Sequence, residues 1–208
     1  MADEPKQKDY DSDGDRDNRK TLVKAIFIIL VLVCIVGVIL WLVYKPHKPK
    51  FYVISASINN FNFNTNLNNL SFTMQFTLHT RNPNKRVTLL YDHLSVFLVY
   101  KNQVITPPLI LPPLRQETKS TVGFSPVLGG GSVAASPEVV EGLRMDENFG
   151  VVGLRLVIMG RVRYKYKAGG IKSGHHGLYV RCDVLVGIKK GYTGQVPLLG
   201  SPVCKVDV

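Results

Sequence analysis

Hydrophobic and polar positions follow two different patterns along this chain, and each pattern predicts a different kind of element. Residues 25–44 are apolar almost throughout and carry no formal charge. A helix of this length spans ~30 Å, the thickness of the hydrocarbon core of a bilayer. A buried globular helix would need a polar stripe, and this segment has none. Because Trp41 and Tyr44 also suit the headgroup region, we predict a transmembrane helix at 22–44.

From Phe51 onward the period of the pattern changes to two. Between positions 70 and 79 the even positions are apolar and the odd positions polar, as in a strand with one buried face. Ser136 as N-cap and Pro137 as the first residue predict one helix. Comparable strand segments lie at 51–58, 87–91, 94–101, 117–124, 152–167 and 177–188. This mainly β pattern predicts an antiparallel β-sandwich of the immunoglobulin or fibronectin-like type.

These patterns divide the 208 residues into four parts. Residues 1–21 have mixed charge and too little apolar surface to fold, so we expect a disordered cytosolic tail. The helix at 22–44 is interpreted as an uncleaved signal anchor, because its apolar run is longer than that of a cleaved signal peptide. Residues 45–50 (KPHKPK) are predicted to form an extended stalk, and residues 51–208 the sandwich domain.

Charge beside the helix predicts its orientation in the membrane. Five Lys and Arg residues lie within about 20 residues on the N-terminal side of its apolar run, against three between the helix and the domain. Positive charge stays preferentially in the cytosol. We therefore expect a single-pass protein with a cytosolic N-terminus and a C-terminal domain outside the cell or in a lumen.

The domain carries the whole positive excess of the chain, with 20 Lys and Arg against 8 Asp and Glu after residue 44. A solvated sheet face is the ordinary interpretation of its basic strand, and attraction of anionic lipid headgroups or acidic wall polysaccharides is the functional one. Nucleic acid is not expected as a partner, because Tyr164 and Tyr166 point away from this face. The basic face comprises Arg155, Arg161, Arg163, Lys165 and Lys167.

Two cysteines, Cys182 and Cys204, belong to the domain. In an oxidising compartment they can form a disulfide that ties the C-terminal segment to a central strand. An inert buried thiol is the alternative, since Cys182 is in phase with the apolar positions of its strand. The glycosylation sequon Asn69-Leu70-Ser71 would be used if the domain lies outside the cytosol.

Sequence motifs for catalysis are missing from the chain. It has no G-x-S-x-G, P-loop, H-E-x-x-H or C-x-x-C pattern. His175 and His176 are adjacent and point to opposite sides of an extended chain, which disfavours a shared metal ion. We therefore expect no catalytic residue, metal or cofactor, and a protein that is not an enzyme.

The stretch RNPNKRVTLLYD, residues 81–92, is the most specific motif in the domain. Pro83 holds Asn82 in an extended conformation and ends the strand before it. Asn84 tolerates left-handed backbone angles and can bond its own backbone through the turn. We expect a structural role, with a binding surface on the exposed Lys85 and Arg86 as the alternative.

Tyr91 and Asp92 end this motif. A buried tyrosine needs a partner for its hydroxyl group, and Tyr91 is on the same face as the apolar Leu89. Asp92 is expected to accept hydrogen bonds from backbone N–H groups as the chain turns.

The order of these features resembles the plant harpin-induced-like and non-race-specific disease resistance-like family, the NHL family. A short tail, one apolar helix and the stalk entry KPHKPKF precede the motif, so the resemblance covers essentially the whole chain. It is carried by Asn82, Pro83, Asn84, Tyr91 and Asp92, the basic strand RVRYKY, and Cys182 with the ending Cys204-Lys205-Val206.

The resemblance implies a late embryogenesis abundant group 2 domain, also called the water stress and hypersensitive response domain. It further implies a non-enzymatic plasma-membrane protein of plant defence and abiotic-stress signalling, which contacts other membrane or cell-wall components. A lipid-binding or lipid-transfer module is the second hypothesis. In it the sandwich opens to admit an acyl chain, and the basic strand holds the headgroup. A fully packed core would weigh against that hypothesis.

Overall fold

The structure, a computed structural model of the chain, describes residues 12–64, 69–167, 169–189, 191–200 and 203–208. The chain divides into two compact units, Met1–Lys45 and Pro46–Val208. The division falls inside residues 45–50, which the sequence predicts as a stalk.

The first unit contains the helix α1, Ser12–Tyr44. Its segment Arg19–Ile39 has a mean hydropathy of 3.2 and is long and apolar enough to cross a membrane. The helix begins ten residues before the predicted position 22, so residues 12–21 are not the disordered tail that the sequence predicts. Extension of an existing helix adds one hydrogen bond per residue, which carries the helix into the polar residues before the apolar segment. Residues 1–11 of the predicted tail lie outside the described residues.

The second unit has 12 strands and one helix among its described residues. The strands are β1 Lys50–Asn64, β2 Asn69–Arg81, β3 Val87–Tyr100, β4 Gln103–Val104, β5 Leu109–Ile110, β6 Leu114–Gln116, β7 Thr121–Phe124, β8 Val127–Ala134, β9 Val151–Tyr166, β10 His176–Gly187, β11 Gly194–Val196 and β12 Lys205–Asp207; the helix is α2, Pro137–Phe149.

All of these strands pair antiparallel in two sheets. The first has the order β11-β1-β2-β7, with β8 also paired to β2. The second has the order β12-β10-β9-β3-β4, with β5 and β6 also paired to β3. The predicted antiparallel β-sandwich is confirmed.

The two sheets face each other across one hydrophobic core. Alternate residues of β3, such as Leu94, Val96 and Leu98, are buried, as the period of two requires. Phe51 from the first sheet meets Tyr91 from the second edge to face, with ring centroids 6.3 Å apart. Aromatic pairs prefer this geometry, so the contact locks the two sheets together.

The helix α2 is capped as the sequence predicts. The side chain of Ser136 accepts a hydrogen bond from the backbone N–H of Val139, and its hydroxyl donates to Gln103 Oε1 at 2.8 Å. The helix ends at Gly150, whose φ of 79° is left-handed. Both ends are therefore satisfied by local residues.

Several strand and turn predictions differ from the structure; the segment 117–124, for example, is a strand only at Thr121–Phe124, β7. The segments 87–91 and 94–101 are one strand, β3, because a bulge between Asp92 and Ser95 absorbs the change of phase. The glycine-rich stretch 125–132 has the composition of a turn, but most of it belongs to β8. A Cβ at Gly129 would collide with the carbonyl oxygen of Phe72, so glycine permits the close approach of β8 to β2.

The sandwich has two ends that differ in composition. At the first, which we call the entry end, Lys50 pairs with Arg81 and Val87 with Tyr166. At the second, the α2 end, β2 and β9 begin and α2 connects β8 to β9. The entry end is where the chain from α1 joins the sandwich.

Candidate functional site

Asn82, Pro83 and Asn84 form the loop between β2 and β3 at the entry end, and both of its amide side chains are buried. The Nδ2 of Asn82 donates to the carbonyl oxygens of Val87 (2.8 Å) and Glu117 (3.0 Å). Its Oδ1 accepts from the backbone N and the Nδ2 of Asn84, both at 3.0 Å. Asn82 thus satisfies backbone groups of two neighbouring segments, which an apolar residue could not do.

Asn84 holds the segment that enters the domain. Its Nδ2 donates to the carbonyl oxygen of His47 at 2.9 Å, and its Oδ1 accepts from the backbone N of His47 at 2.7 Å. The Nζ of Lys48 donates to the carbonyl oxygen of Val206 at 3.3 Å, and Pro49 is buried. The predicted stalk is therefore fixed against the sandwich from His47 onward.

Asn84 does not adopt the left-handed conformation that an asparagine tolerates. Lys119 has it instead, with a φ of 58°, and its backbone N donates to the carbonyl oxygen of Asn84 at 3.1 Å. Besides its bond to the side chain of Asn82, the side chain of Asn84 bonds the distant backbone of His47 rather than the backbone of its own turn. Sequence neighbours carry no signal for a partner 37 residues away.

Tyr91 has the hydroxyl partner that the sequence requires. Its Oη donates to Gln116 Oε1 at 3.0 Å and lies 3.4 Å from Thr80 Oγ1. The Nε2 of Gln116 donates to the carbonyl oxygen of Thr80 at 2.7 Å, which closes a buried network between the sheets. Burial raises the pKa of the Tyr91 hydroxyl well above its usual value. Thr80 had a signal in the sequence, a polar residue in phase with the buried face of β2, whereas Gln116 had none.

Among the described residues, no backbone N–H group donates to the side chain of Asp92 as predicted. Its Oδ2 accepts from Arg163 Nη2 at 2.7 Å and lies 3.8 Å from His175 Nε2. The bulge that follows Asp92, with His93 at a φ of 53°, turns this carboxylate toward β9. Asp92 therefore neutralises a cation of the predicted basic face.

The five cations of that face do not act as one surface. Arg155 Nε donates to Asp183 Oδ1 at 2.6 Å, and Arg163 is paired with Asp92. Tyr164 lies buried on the opposite side of β9, as predicted. The ion pairs offset the charges of Arg155 and Arg163, so the excess positive charge of this face comes from Arg161, Lys165 and Lys167.

A groove of about 280 Å³ lies at the entry end of β9. Lys165, Lys167 and Arg115 line it together with Glu117 and Thr88. A hydrogen bond from Arg115 at 2.8 Å, with one from Thr88 at 3.1 Å, lowers the pKa of Glu117. The carboxylate stays charged and partly neutralises the groove, which therefore offers cations without an enclosed anion site.

A second cavity, of about 460 Å³, lies on the outer side of the second sheet. Its walls include Leu185, Leu199 and Lys101 around the ion pair of Arg155 with Asp183. It is a surface cleft of mixed polarity and does not open between the two sheets. Neither cavity is the apolar slot that a lipid-transfer module requires.

Cys182 and Cys204 meet in the structure. Their sulfur atoms are 2.01 Å apart in a disulfide that closes a separation of 22 residues. The backbone N of Cys204 also donates to the carbonyl oxygen of Phe51 at 3.1 Å. The C-terminal segment is thus tied to β10 and to the start of β1.

The search for a metal site covers the part of the chain that the structure describes. Across residues 12–64, 69–167 and the three later segments, no three His, Cys, Asp or Glu side chains are grouped to hold a metal ion.

The backbone of Asn69 pairs with Asn64 and Ala134 at the start of β2. Its side chain is outside the description, so its glycosylation stays a prediction.

Comparison with known proteins decides the family. The chain is 32% identical to NDR1/HIN1-like protein 1 of Arabidopsis thaliana over 89% of its own length and 90% of that protein. The chain belongs to the NDR1/HIN1-like family. It is also 35% identical to NDR1/HIN1-like protein 12 of the same plant, over 78% and 75% of the two chains.

The NDR1/HIN1-like assignment confirms the resemblance drawn from the motif at 82–92. No protein-family model matches the chain, so the assignment rests on these relatives. The names of these NDR1/HIN1-like relatives state no enzymatic activity.

Proposed function

We propose that this NDR1/HIN1-like protein is a non-enzymatic, single-pass plasma-membrane protein of plant defence and abiotic-stress signalling. Its N-terminus faces the cytosol, and its β-sandwich contacts other plasma-membrane or cell-wall components outside the cell. One observation carries the proposal: an apolar helix of membrane-spanning length leads directly into a sandwich that clamps its own entry segment. Such an arrangement presents a rigid domain close to a membrane.

A role in contact rather than catalysis agrees with the chemistry of the motif. The amides of Asn82 and Asn84 and the hydroxyl of Tyr91 are buried and fully engaged in hydrogen bonds within the fold. Groups used in this way organise the domain and are withheld from a substrate. The domain carries a net positive charge, which favours anionic partners.

The lipid-transfer alternative is weakened by the packing of the core. Side chains from both sheets form one continuous buried cluster, and the two cavities described above lie on the surface. Native mass spectrometry of the full chain, released from lipid-containing nanodiscs, tests the alternative directly. A retained acyl lipid after release would revive it, and its absence agrees with a closed sandwich.

Orientation is tested with epitope tags at both ends of the full chain in plant protoplasts. Protease added to intact cells should remove the C-terminal tag and leave the N-terminal tag until the membrane is permeabilised. Because α1 is the proposed anchor, the chain should also stay in the pellet after alkaline carbonate extraction. Protection of the C-terminal tag would overturn the topology, and extraction of the chain would overturn the anchor.

The role in signalling is tested by proximity labelling with a biotin ligase fused to the C-terminus. During an immune response the full chain should enrich plasma-membrane and wall proteins over a control that keeps residues 1–50 and lacks the sandwich. Equal enrichment by both proteins would show that the sandwich selects no partner.

A further inference from the structure

We propose that the entry end of the sandwich docks on phosphate-bearing, anionic lipid headgroups of the same membrane that holds α1. The inference rests on the proposed membrane anchor and assigns it a second contact. Cations from several separate segments converge at this end, all but Lys165 with exposed side chains. They are Lys48, Lys50, Arg81, Lys85, Arg86, Arg115, Lys119, Lys165 and Lys167.

Backbone contacts bring these segments together. Lys50 pairs with Arg81 across β1 and β2. The backbone N of Lys167 donates to the carbonyl oxygen of Arg86 at 3.0 Å, and that of Lys119 to the loop residue Asn84 at 3.1 Å. The cations therefore belong to one end of the folded domain although they are up to 119 positions apart in the chain.

The charge of the domain is polarised along its long strands. At the entry end Asp207 pairs with Lys48 and Glu117 with Arg115, and the positive charge exceeds what these two carboxylates neutralise. At the opposite end, α2 carries four of the eight acidic residues of the domain: Glu138, Glu141, Asp146 and Glu147. Because Arg144 and Lys189 at the α2 end offset part of this negative charge, an anionic surface attracts the entry end much more strongly than the α2 end, and this difference orients the domain.

The short chain segment between α1 and the sandwich makes the membrane the expected binding partner of this surface. Three residues lead from Tyr44, the last residue of α1, to His47, which Asn84 holds at the entry end. Such a path reaches at most ~10 Å. Tethering within this distance gives lipid headgroups a high effective concentration at the basic end, so weak individual contacts are sufficient. A soluble polysaccharide or free phosphate has no such advantage.

The test uses the full chain in nanodiscs of phosphatidylcholine alone, or with phosphatidylserine at about a fifth of the lipid. Hydrogen–deuterium exchange is measured for peptides over residues 80–90, at the entry end, and 137–149, in α2. We expect slower exchange at 80–90 in the anionic discs and no change in α2, and loss of the difference at high salt.

A variant and its matched control locate the contact. Each lysine near an anionic leaflet strengthens association about fivefold, so Lys85→Gln with Lys167→Gln should weaken docking about 30-fold. The pair Arg144→Gln with Lys189→Gln removes the same charge at the α2 end and should keep the protection. Lys50→Gln with Lys119→Gln repeats the test at other positions if the first pair unfolds.

Equal exchange at 80–90 in neutral and anionic discs would overturn the contact and leave the anchor intact. Extraction of the chain from the bilayer by carbonate would overturn the anchor and the contact together. Polygalacturonate or inorganic phosphate, added to neutral discs, should give no protection; protection by either one would show that the surface takes a soluble anion instead.

Discussion

At the residue scale, the loop of Asn82 and Asn84 joins three parts of the chain through side-chain amides. Asn82 serves the backbone of β3 and of the segment after β6, and Asn84 serves the backbone of the entering segment. An amide provides donors and an acceptor in one group, which neither serine nor aspartate offers in this combination. Pro83 fixes the backbone between them and reduces the entropy lost on folding.

Replacement of Asn82 by alanine should lower the free energy of unfolding by about 2–4 kcal/mol, since two carbonyl groups lose a buried donor. Urea unfolding of the full chain in mild detergent, followed by circular dichroism, measures the change. Lys85→Ala, an exposed neighbour, should stay within about 0.5 kcal/mol of the unmodified chain. If Asn82→Ala lowered the free energy of unfolding no more than the control does, the side chain of Asn82 would not be holding these segments together.

The burial of tyrosine side chains makes the free energy of unfolding depend on pH in the alkaline range. Burial raises the pKa of Tyr91, Tyr100 and Tyr164, and for Tyr100 the hydrogen bond to the Asp146 carboxylate adds to the effect. In the unfolded chain a tyrosine loses its proton near pH 10, while the folded chain keeps it. The stability that the protonated form contributes is therefore complete below pH ~10 and is lost as pH rises toward the folded pKa.

Above pH ~10, each such tyrosine should lower the free energy of unfolding by up to about 1.4 kcal/mol per pH unit until the pH reaches its folded pKa. Tyr91→Phe should remove the contribution of one tyrosine from this pH dependence, although it destabilises the protein at neutral pH. Tyr179→Phe, which removes a hydroxyl group at an exposed position, is the matched control. Parallel pH curves for Tyr91→Phe and the unmodified chain would contradict the argument.

At the element scale, the strands that the sequence predicts are those with one buried face and several residues. The alternation of β2, β9 and β10 is explicit in the apolar pattern, and so is the Ser136 cap of α2. The strand β8 could not be predicted, because its glycines are typical of a turn. At Gly129 a glycine is required because the carbonyl oxygen of Phe72, on the neighbouring strand, leaves no room for a Cβ atom. Short strands such as β4, β5, β11 and β12 depend on their partners and contain too few residues for a period.

The disulfide acts on one short element, β12, which three residue pairs hold to β10. Replacing both Cys182 and Cys204 by alanine should lower the free energy of unfolding by roughly 3 kcal/mol, because the unfolded chain regains the entropy of a loop of this length. Reductant should have the same effect on the unmodified chain, and urea unfolding measures both. Cys34→Ala, in α1, is the control and should leave the free energy of unfolding unchanged. If reductant did not destabilise the unmodified chain, Cys182 and Cys204 would not be paired.

At the scale of the whole molecule, the sequence predicts the excess charge but not its place. Arg155 and Arg163 were predicted to share a face with Lys165 and Lys167, and the backbone of β9 agrees. Partners on other strands, Asp183 and Asp92, neutralise the two arginines, and the cations of the entry end come together through tertiary contacts. A period within one strand identifies a face, whereas the net charge of a surface depends on every strand that borders it.

Glycosylation of Asn69, at the end of the sandwich opposite the entry end, tests on which side of the membrane the domain lies. Asn69 begins β2 at the α2 end, and β2 runs 13 residues to the entry end, a path of ~40 Å. If the domain lies outside the cytosol, the sequon should carry a glycan, and enzymatic removal of N-glycans should increase the electrophoretic mobility of the chain from plant cells. Asn69→Gln and Ser71→Ala should each abolish the shift, because each destroys the sequon, while Asn59→Gln, outside any sequon, should retain it.

A reciprocal sequon makes the result decisive. An Asn-x-Ser triplet introduced within residues 1–11 should remain unmodified when the N-terminus is cytosolic. A glycan on that triplet, with none on Asn69, would reverse the orientation of α1 and place the sandwich in the cytosol. The basic entry end would then face the leaflet whose anionic lipids are most abundant, so reversal would contradict the proposed extracellular contacts while leaving the headgroup contact in place.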